Sequence, residues 1–165
     1  MEARPRLKLE PTSTDKILEI SGWIILVMLW ILTITFYSWL PEIIPTHFSA
    51  AGKANSYGTK MTIWFLPPIA TLVFIGLTVL NNYPHMFNYP INITSENAYR
   101  QYGNATRMIR SLKLIIVFVF SLVVILIYHS AQSGSAKMST WFLFLIMGLL
   151  FTSMTYFIIK AIKEK

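Results

Sequence analysis

Residues 22–40 read GWIILVMLWILTITFYSWL, nineteen positions without a charge. As a helix this run is roughly 28 Å long at 1.5 Å per residue, close to the hydrocarbon thickness of a bilayer. Three further apolar runs follow, at Met61–Leu80, about Leu114–Tyr128 and Ser139–Ile159. Each is able to satisfy its own backbone hydrogen bonds as a helix, which an open strand in lipid cannot do. The third run is the shortest, and Lys113 extends it if its ammonium snorkels to the interface. A cleaved signal peptide is the rival for the first run, with Ser49 and Ala51 as small residues before a cut. Its apolar core is too long for that, and Pro41 and Pro45 follow it, so an uncleaved helix is expected.

The composition points the same way. Of 165 residues, 55% are hydrophobic and only 13% charged, about half the usual charged share. A soluble domain this apolar would lack the polar groups to cover its surface. The expected architecture is therefore an all-α, four-span transmembrane helix bundle forming a single membrane domain over residues 1–165. The formal charge of +7 lies between the apolar runs and not over a basic domain. That placement suits anionic lipid, and no nucleic-acid partner is expected. With no cysteine, disulfides, thiol nucleophiles and thiolate metal sites are excluded.

Orientation follows from the positive residues. Arg4, Arg6, Lys8, Lys16, Arg100, Arg107, Arg110, Lys113, Lys160, Lys163 and Lys165 fall on one side of a four-span chain. Only Lys53, Lys60 and Lys137 fall on the other. This bias places both termini in the cytoplasm. Tyr37, Trp39, Trp64, Tyr128 and Trp141 then lie near the outer interface, where amphipathic rings anchor.

The outer loop, 40–60, is chemically the most distinctive stretch: Leu40-Pro41-Glu42-Ile43-Ile44-Pro45-Thr46-His47-Phe48, then Gly52, Asn55, Gly58 and Lys60. Proline biases the residue before it toward extended backbone, and glycine permits tight turns. A short hairpin close to the membrane is expected, presenting His47 and Phe48 together. Lys60 can place its charge among headgroups.

The run L-P-x-x-I-P-x-H-F with its following glycine and lysine resembles the signature of a bacterial integral-membrane domain of unknown function. That domain also forms the N-terminal half of the sporulation-delaying-toxin immunity protein. The resemblance extends through Asn88-Tyr89-Pro90, Glu96-Asn97-Ala98 and Gln101-Tyr102, covering about Trp30–Leu112; Glu42, Ser49 and Asn55 depart from the residues more usual there. It implies an envelope protein of the toxin-immunity type. Pro41, Glu42, Pro45, His47, Phe48, Gly52, Asn55 and Lys60 are the candidate binding residues for a peptide or protein partner.

Other chemistry has alternatives. Glu42, His47 and His129 are chemically able to hold zinc, but no diagnostic spacing joins them, and a hydrogen-bonded histidine ordering the hairpin is expected instead. His85 would lie on the opposite side of the membrane. Pro67 and Pro68 should kink the second span, freeing carbonyls near Ile63 and Trp64. Gly148 and Thr152, with Ser153, Thr155 and Tyr156 beyond, offer a small-residue face for packing within the bundle or for dimerisation.

Between spans two and three, Thr94 and Ser95 suggest an N-cap, with Glu96 at the positive end of the helix. Ala98, Tyr102, Ala105, Ile109 and Leu112 form an apolar stripe, with Arg100, Arg107 and Arg110 mostly elsewhere. A basic amphipathic helix over about 95–112 is expected along the cytoplasmic membrane surface, bent or frayed at Gly103. It would anchor the chain or dock a cytoplasmic partner. The sequons at Asn92 and Asn104 should go unused on that side.

No Asp, Glu, Lys, Arg or His lies near the centre of any apolar run. Ion-coupled transport and intramembrane proteolysis need such groups. No catalytic residue, metal ligand or cofactor is therefore assigned. The expected function is non-enzymatic binding or signalling in the cell (inner) membrane, with a small oligomeric transporter or channel as the alternative.

Overall fold

The computed structural model describes residues 4–133 and 141–164. Lys137, Lys165 and the start of the fourth expected span at Ser139 lie outside them. Among the described residues, four helices are long and apolar enough to cross a membrane, which suits a multi-pass membrane protein. They are α1 (Ser13–Tyr37), α2 (Leu66–Leu80, preceded by a 3-10 turn Lys60–Phe65), α3 (Ala98–Gln132) and α4 (Trp141–Lys163). The all-α expectation needs one correction. The loop after α1 is a two-stranded antiparallel sheet, β1 (Ile43–Phe48) and β2 (Ala54–Thr59).

Helix α1 starts at Ser13, well before Gly22, because Thr12 and Asp15 close a capping box. The Asp15 carboxylate accepts from the Thr12 N–H at 2.9 Å, and the Asp15 N–H donates to Thr12 Oγ1 at 3.3 Å. Two orphan donors of the first turn are thus satisfied.

Pro67 and Pro68 do not kink an α-helix from within. They stand at its start, where the 3-10 turn gives way to α2. A missing N–H costs little in a first turn, and the fixed proline φ suits that position.

The largest correction concerns α3. The expected surface helix and third span are one continuous α-helix of 35 residues, roughly 52 Å long. That exceeds a hydrocarbon core of about 30 Å, so the helix projects well past it. Its cap is Asn97, not Thr94 or Ser95, and it passes through Gly103 without a break. Of the expected stripe, Ala98 and Tyr102 are buried; their companions on the buried face are Gln101, Asn104, Thr106 and Lys113. Polar residues there face other helices, so the stripe was a poor guide to the packed face.

The core gathers Leu26 and Leu29 of α1, Leu40, Ile44 of β1, Ile63, Ala70 and Phe74 of α2, and Val117, Val124 and Ile127 of α3. Helices α1 and α2 meet closely at Gly22, where an added Cβ would lie 2.7 Å from the Phe74 ring. Trp30 Nε1 donates to Thr71 Oγ1 across the same interface at 3.1 Å. Helix α4 docks on α3 and otherwise lies largely exposed, with Gly148 and Thr152 on its outward surface. Those two residues therefore do not pack within the bundle: a Cβ added at Gly148 meets nothing within 4 Å.

Two substitutions test this packing. Gly22→Val should lower stability by about 1–3 kcal/mol, as overpacking does, seen as a lower melting temperature in detergent. Gly103→Ala, in open space, should raise stability by about 1 kcal/mol.

Candidate functional site

The hairpin is built on its prolines and Gly52. Cα partners run Ile43 with Thr59, Ile44 with Gly58, Pro45 with Tyr57, His47 with Ser56 and Phe48 with Ala54, with irregularities on either side of His47. A proline without an N–H is tolerated where the ladder is irregular. Gly52 has φ 74°, a conformation that glycine adopts without steric cost, and it closes the turn with its N–H on Ser49 O at 2.8 Å.

Ile44 and Pro45 are buried and anchor β1, which packs against α3. His47 is exposed, Phe48 half-buried, and Tyr57 on β2 is 58% exposed. His47 Nδ1 lies 2.6 Å from Asn55 Oδ1 across the strands, which fixes the ring. Glu42 pairs with Lys60 at 3.5 Å, and Lys60 lies 5.3 Å from the Tyr37 ring centre. Pro41 is exposed. His129 sits against Tyr128, which stacks on Phe36 at 4.1 Å. Glu42, His47 and His129 are thus not brought together, and among the described residues no three His, Asp or Glu side chains are grouped to hold a metal.

At the other end of the bundle lies a charged cluster that the sequence reading missed. Arg107 Nε donates to Asp15 Oδ1 at 2.9 Å and Nη2 to Asp15 Oδ2 at 3.2 Å, a bidentate pair. Arg110 lies 3.6 Å from Asp15 and 3.7 Å from Glu19. Lys113, fully buried, donates to Glu19 at 2.5 Å and to Thr78 Oγ1 at 2.7 Å. Its ammonium sits 4.4 Å from the Phe74 ring centre. Lys113 therefore does not snorkel: it joins α1, α2 and α3 from inside. The signal was available as spacing, since Asp15 and Glu19 are four apart while Arg107, Arg110 and Lys113 recur every three. Each set occupies one helix face.

Around this cluster the chain folds back on itself. Arg4 donates to Phe87 O at 2.6 Å and lies 5.4 Å from the Tyr89 ring centre. Tyr102 donates to Pro5 O at 3.1 Å. Burial, reinforced by Tyr102, pushes the Tyr89 phenol well above its ordinary pKa; it remains a donor, to Pro84 O at 2.8 Å. The side-chain nitrogens of Gln101 and Asn104 donate to the α4 carbonyls of Ala161 and Phe157. That contact leaves the Asn104 sequon buried whichever side of the membrane it faces.

A family described as a domain of unknown function (DUF1648) matches residues 24–71. This stretch spans most of α1, the whole hairpin and the first turns of α2. An uncharacterized protein of Archaeoglobus fulgidus is 34% identical over 87 residues, 48% of this chain and 48% of that protein. The chain thus spans about half the length of the curated relative it matches. These two matches support a likeness to a domain-of-unknown-function family. No solved structure matches.

The cluster is tested by a double-mutant cycle. Asp15→Asn and Arg107→Gln should each lower the melting temperature, and the double variant should lose less than their sum. A coupling of about 1–3 kcal/mol is expected for contacting charges; full additivity would show that the pair contributes nothing.

Proposed function

We propose that the chain is a non-enzymatic binding protein of the bacterial cell (inner) membrane, of the toxin-immunity type. In this reading both termini are cytoplasmic and the hairpin faces outward. The observation that carries it is the hairpin itself, whose Ile44 and Pro45 are fixed in the core while His47, Tyr57 and the β2 surface stay exposed. A two-stranded sheet leaves unpaired strand edges, on which an extended peptide adds by backbone hydrogen bonds. His47, held by Asn55, and the neighbouring Phe48 would supply side-chain specificity. Helix α3 touches the hairpin and carries Arg107, Arg110 and Lys113 of the charged cluster, which supports a signalling role toward a cytoplasmic partner. The loop signature's likeness to the immunity protein supports the peptide as the outer ligand.

The test is resistance. Cells exporting the sporulation-delaying toxin should survive when the wild-type chain is present and die when it carries His47→Ala with Phe48→Ala. The double variant should keep its melting temperature, whereas Ile44→Ala should lose about 2–5 kcal/mol of stability. No protection by the wild-type chain would remove the immunity reading. A reporter enzyme fused after Lys165 that proves active outside the cytoplasm would overturn the orientation.

A second reading rests on Lys113, Glu19 and Thr78. Buried ionisable groups on membrane helices often mark ion paths, and an oligomeric transporter would use them so. Solute or proton flux in reconstituted vesicles that disappears with Lys113→Met would favour it over the first reading.

A further inference from the structure

A groove of about 590 Å³ opens between the 80–90 segment, α3 and the end of α4. Its walls are apolar and aromatic, formed by Leu80, Phe87, Tyr89, Met108, Ile109 and Ile158. Among the described residues, no charged side chain lines it. Gln101 and Asn104 also line it, and they are only 1% and 6% exposed.

The orientation of these two amides is fixed. Gln101 Nε2 donates to Ala161 O at 3.0 Å and to Glu164 O at 2.8 Å, and Asn104 Nδ2 donates to Phe157 O at 2.9 Å. Flipping either amide would set its oxygen against a carbonyl oxygen. Gln101 Oε1 and Asn104 Oδ1 are therefore acceptors, and both are buried with no hydrogen-bond partner among the described residues. Buried acceptors left without donors are costly. Two of them on one helix face, three residues apart, on side chains that line an apolar groove, call for a ligand that brings donors.

Neutral carbonyl oxygens together with aromatic faces are the usual recognition set for an ammonium group, through charge-assisted hydrogen bonds and cation–π attraction. Asn104 also lines an adjoining cavity with Arg100, Arg107 and Lys160 and the carboxylates Glu10, Asp15 and Glu164; Asp15 holds Arg107 and Glu164 pairs with Lys160. A headgroup that placed its ammonium on the two oxygens would have Arg100 in that adjoining cavity for its phosphate. We propose that this groove binds one aminophospholipid of the surrounding bilayer. Its ammonium would donate to Gln101 Oε1 and Asn104 Oδ1, and an acyl chain would lie along Met108, Ile109 and Ile158. The inference needs the chain to be a membrane protein but is independent of what the hairpin binds.

The test uses the purified full chain in mixed micelles with equal amounts of phosphatidylcholine, phosphatidylethanolamine and phosphatidylglycerol, read by native mass spectrometry. Phosphatidylethanolamine should be retained with about tenfold preference over phosphatidylcholine, whose trimethylated nitrogen has no N–H to donate. Ala105→Phe, which narrows the groove without touching its polar groups, should abolish that retention while helix content by circular dichroism is unchanged. Gln101→Lys keeps a donor for the α4 carbonyls and deletes the acceptor, so it should remove the preference. Should it fail to fold, Ala105→Phe still decides. Equal retention of the choline and ethanolamine lipids, a preference for phosphatidylglycerol, or retention that survives Ala105→Phe would each overturn the proposal.

Discussion

Charges in the packed interior of a membrane bundle must be matched, because lipid offers no water to solvate them. Asp15 is 5% exposed and Lys113 not at all. Each holds an oppositely charged partner on another helix, Arg107 for the first and Glu19 for the second. Leaving one of such a pair alone would bury an uncompensated charge, which costs more than the pair gains. The cluster therefore acts as a register pin. Sliding α1 against α3 by one turn would separate both pairs at once, an exclusion that apolar packing alone enforces weakly. Phe74 lies beneath the Lys113 ammonium and against Gly22, so α2 is seated by the same arrangement.

The two ends of the bundle divide the chemistry. At the hairpin end, the hairpin's own polar side chains are partnered locally, His47 with Asn55 and Glu42 with Lys60, while Ile44 ties the sheet to the helices and Gln132 of α3 donates to Trp39 O after α1. At the other end, partners are far apart in sequence: Arg4 with the 85–87 backbone, Tyr102 with Pro5, Gln101 with the end of α4. The hairpin is thus largely closed on itself, whereas the long-range contacts of the other end form only once the helices have assembled. The matched family segment, residues 24–71, covers the hairpin.

This division explains what could be read from the sequence. Apolar runs announced four long helices because hydropathy is a local property. The hairpin was legible because prolines and Gly52 act on their own backbone. The continuity of α3 was missed because the apolar stripe was read without the partners facing it. Gln101, Asn104 and Lys113 pack inward only because Ala161, Phe157 and Glu19 are there to meet them. Gly103, a residue that weakens isolated helices, is carried through by the tertiary contacts on both sides. The charged cluster lay in plain sight as two spacings, but pairing them requires knowing that α1 and α3 are neighbours.

The way α4 is held has a bearing on how the chain is made. Helices α1, α2 and α3 share one core, whereas α4 adds Phe142, Phe157 and Ala161 against α3 and little else. A nascent polypeptide can thus complete its three-helix nucleus before α4 has left the ribosome or translocon. Gln101 and Asn104 of α3 then receive α4 by the carbonyls of Ala161 and Phe157. Helix α4 acts as a latch on that nucleus, which does not have to reopen to admit it.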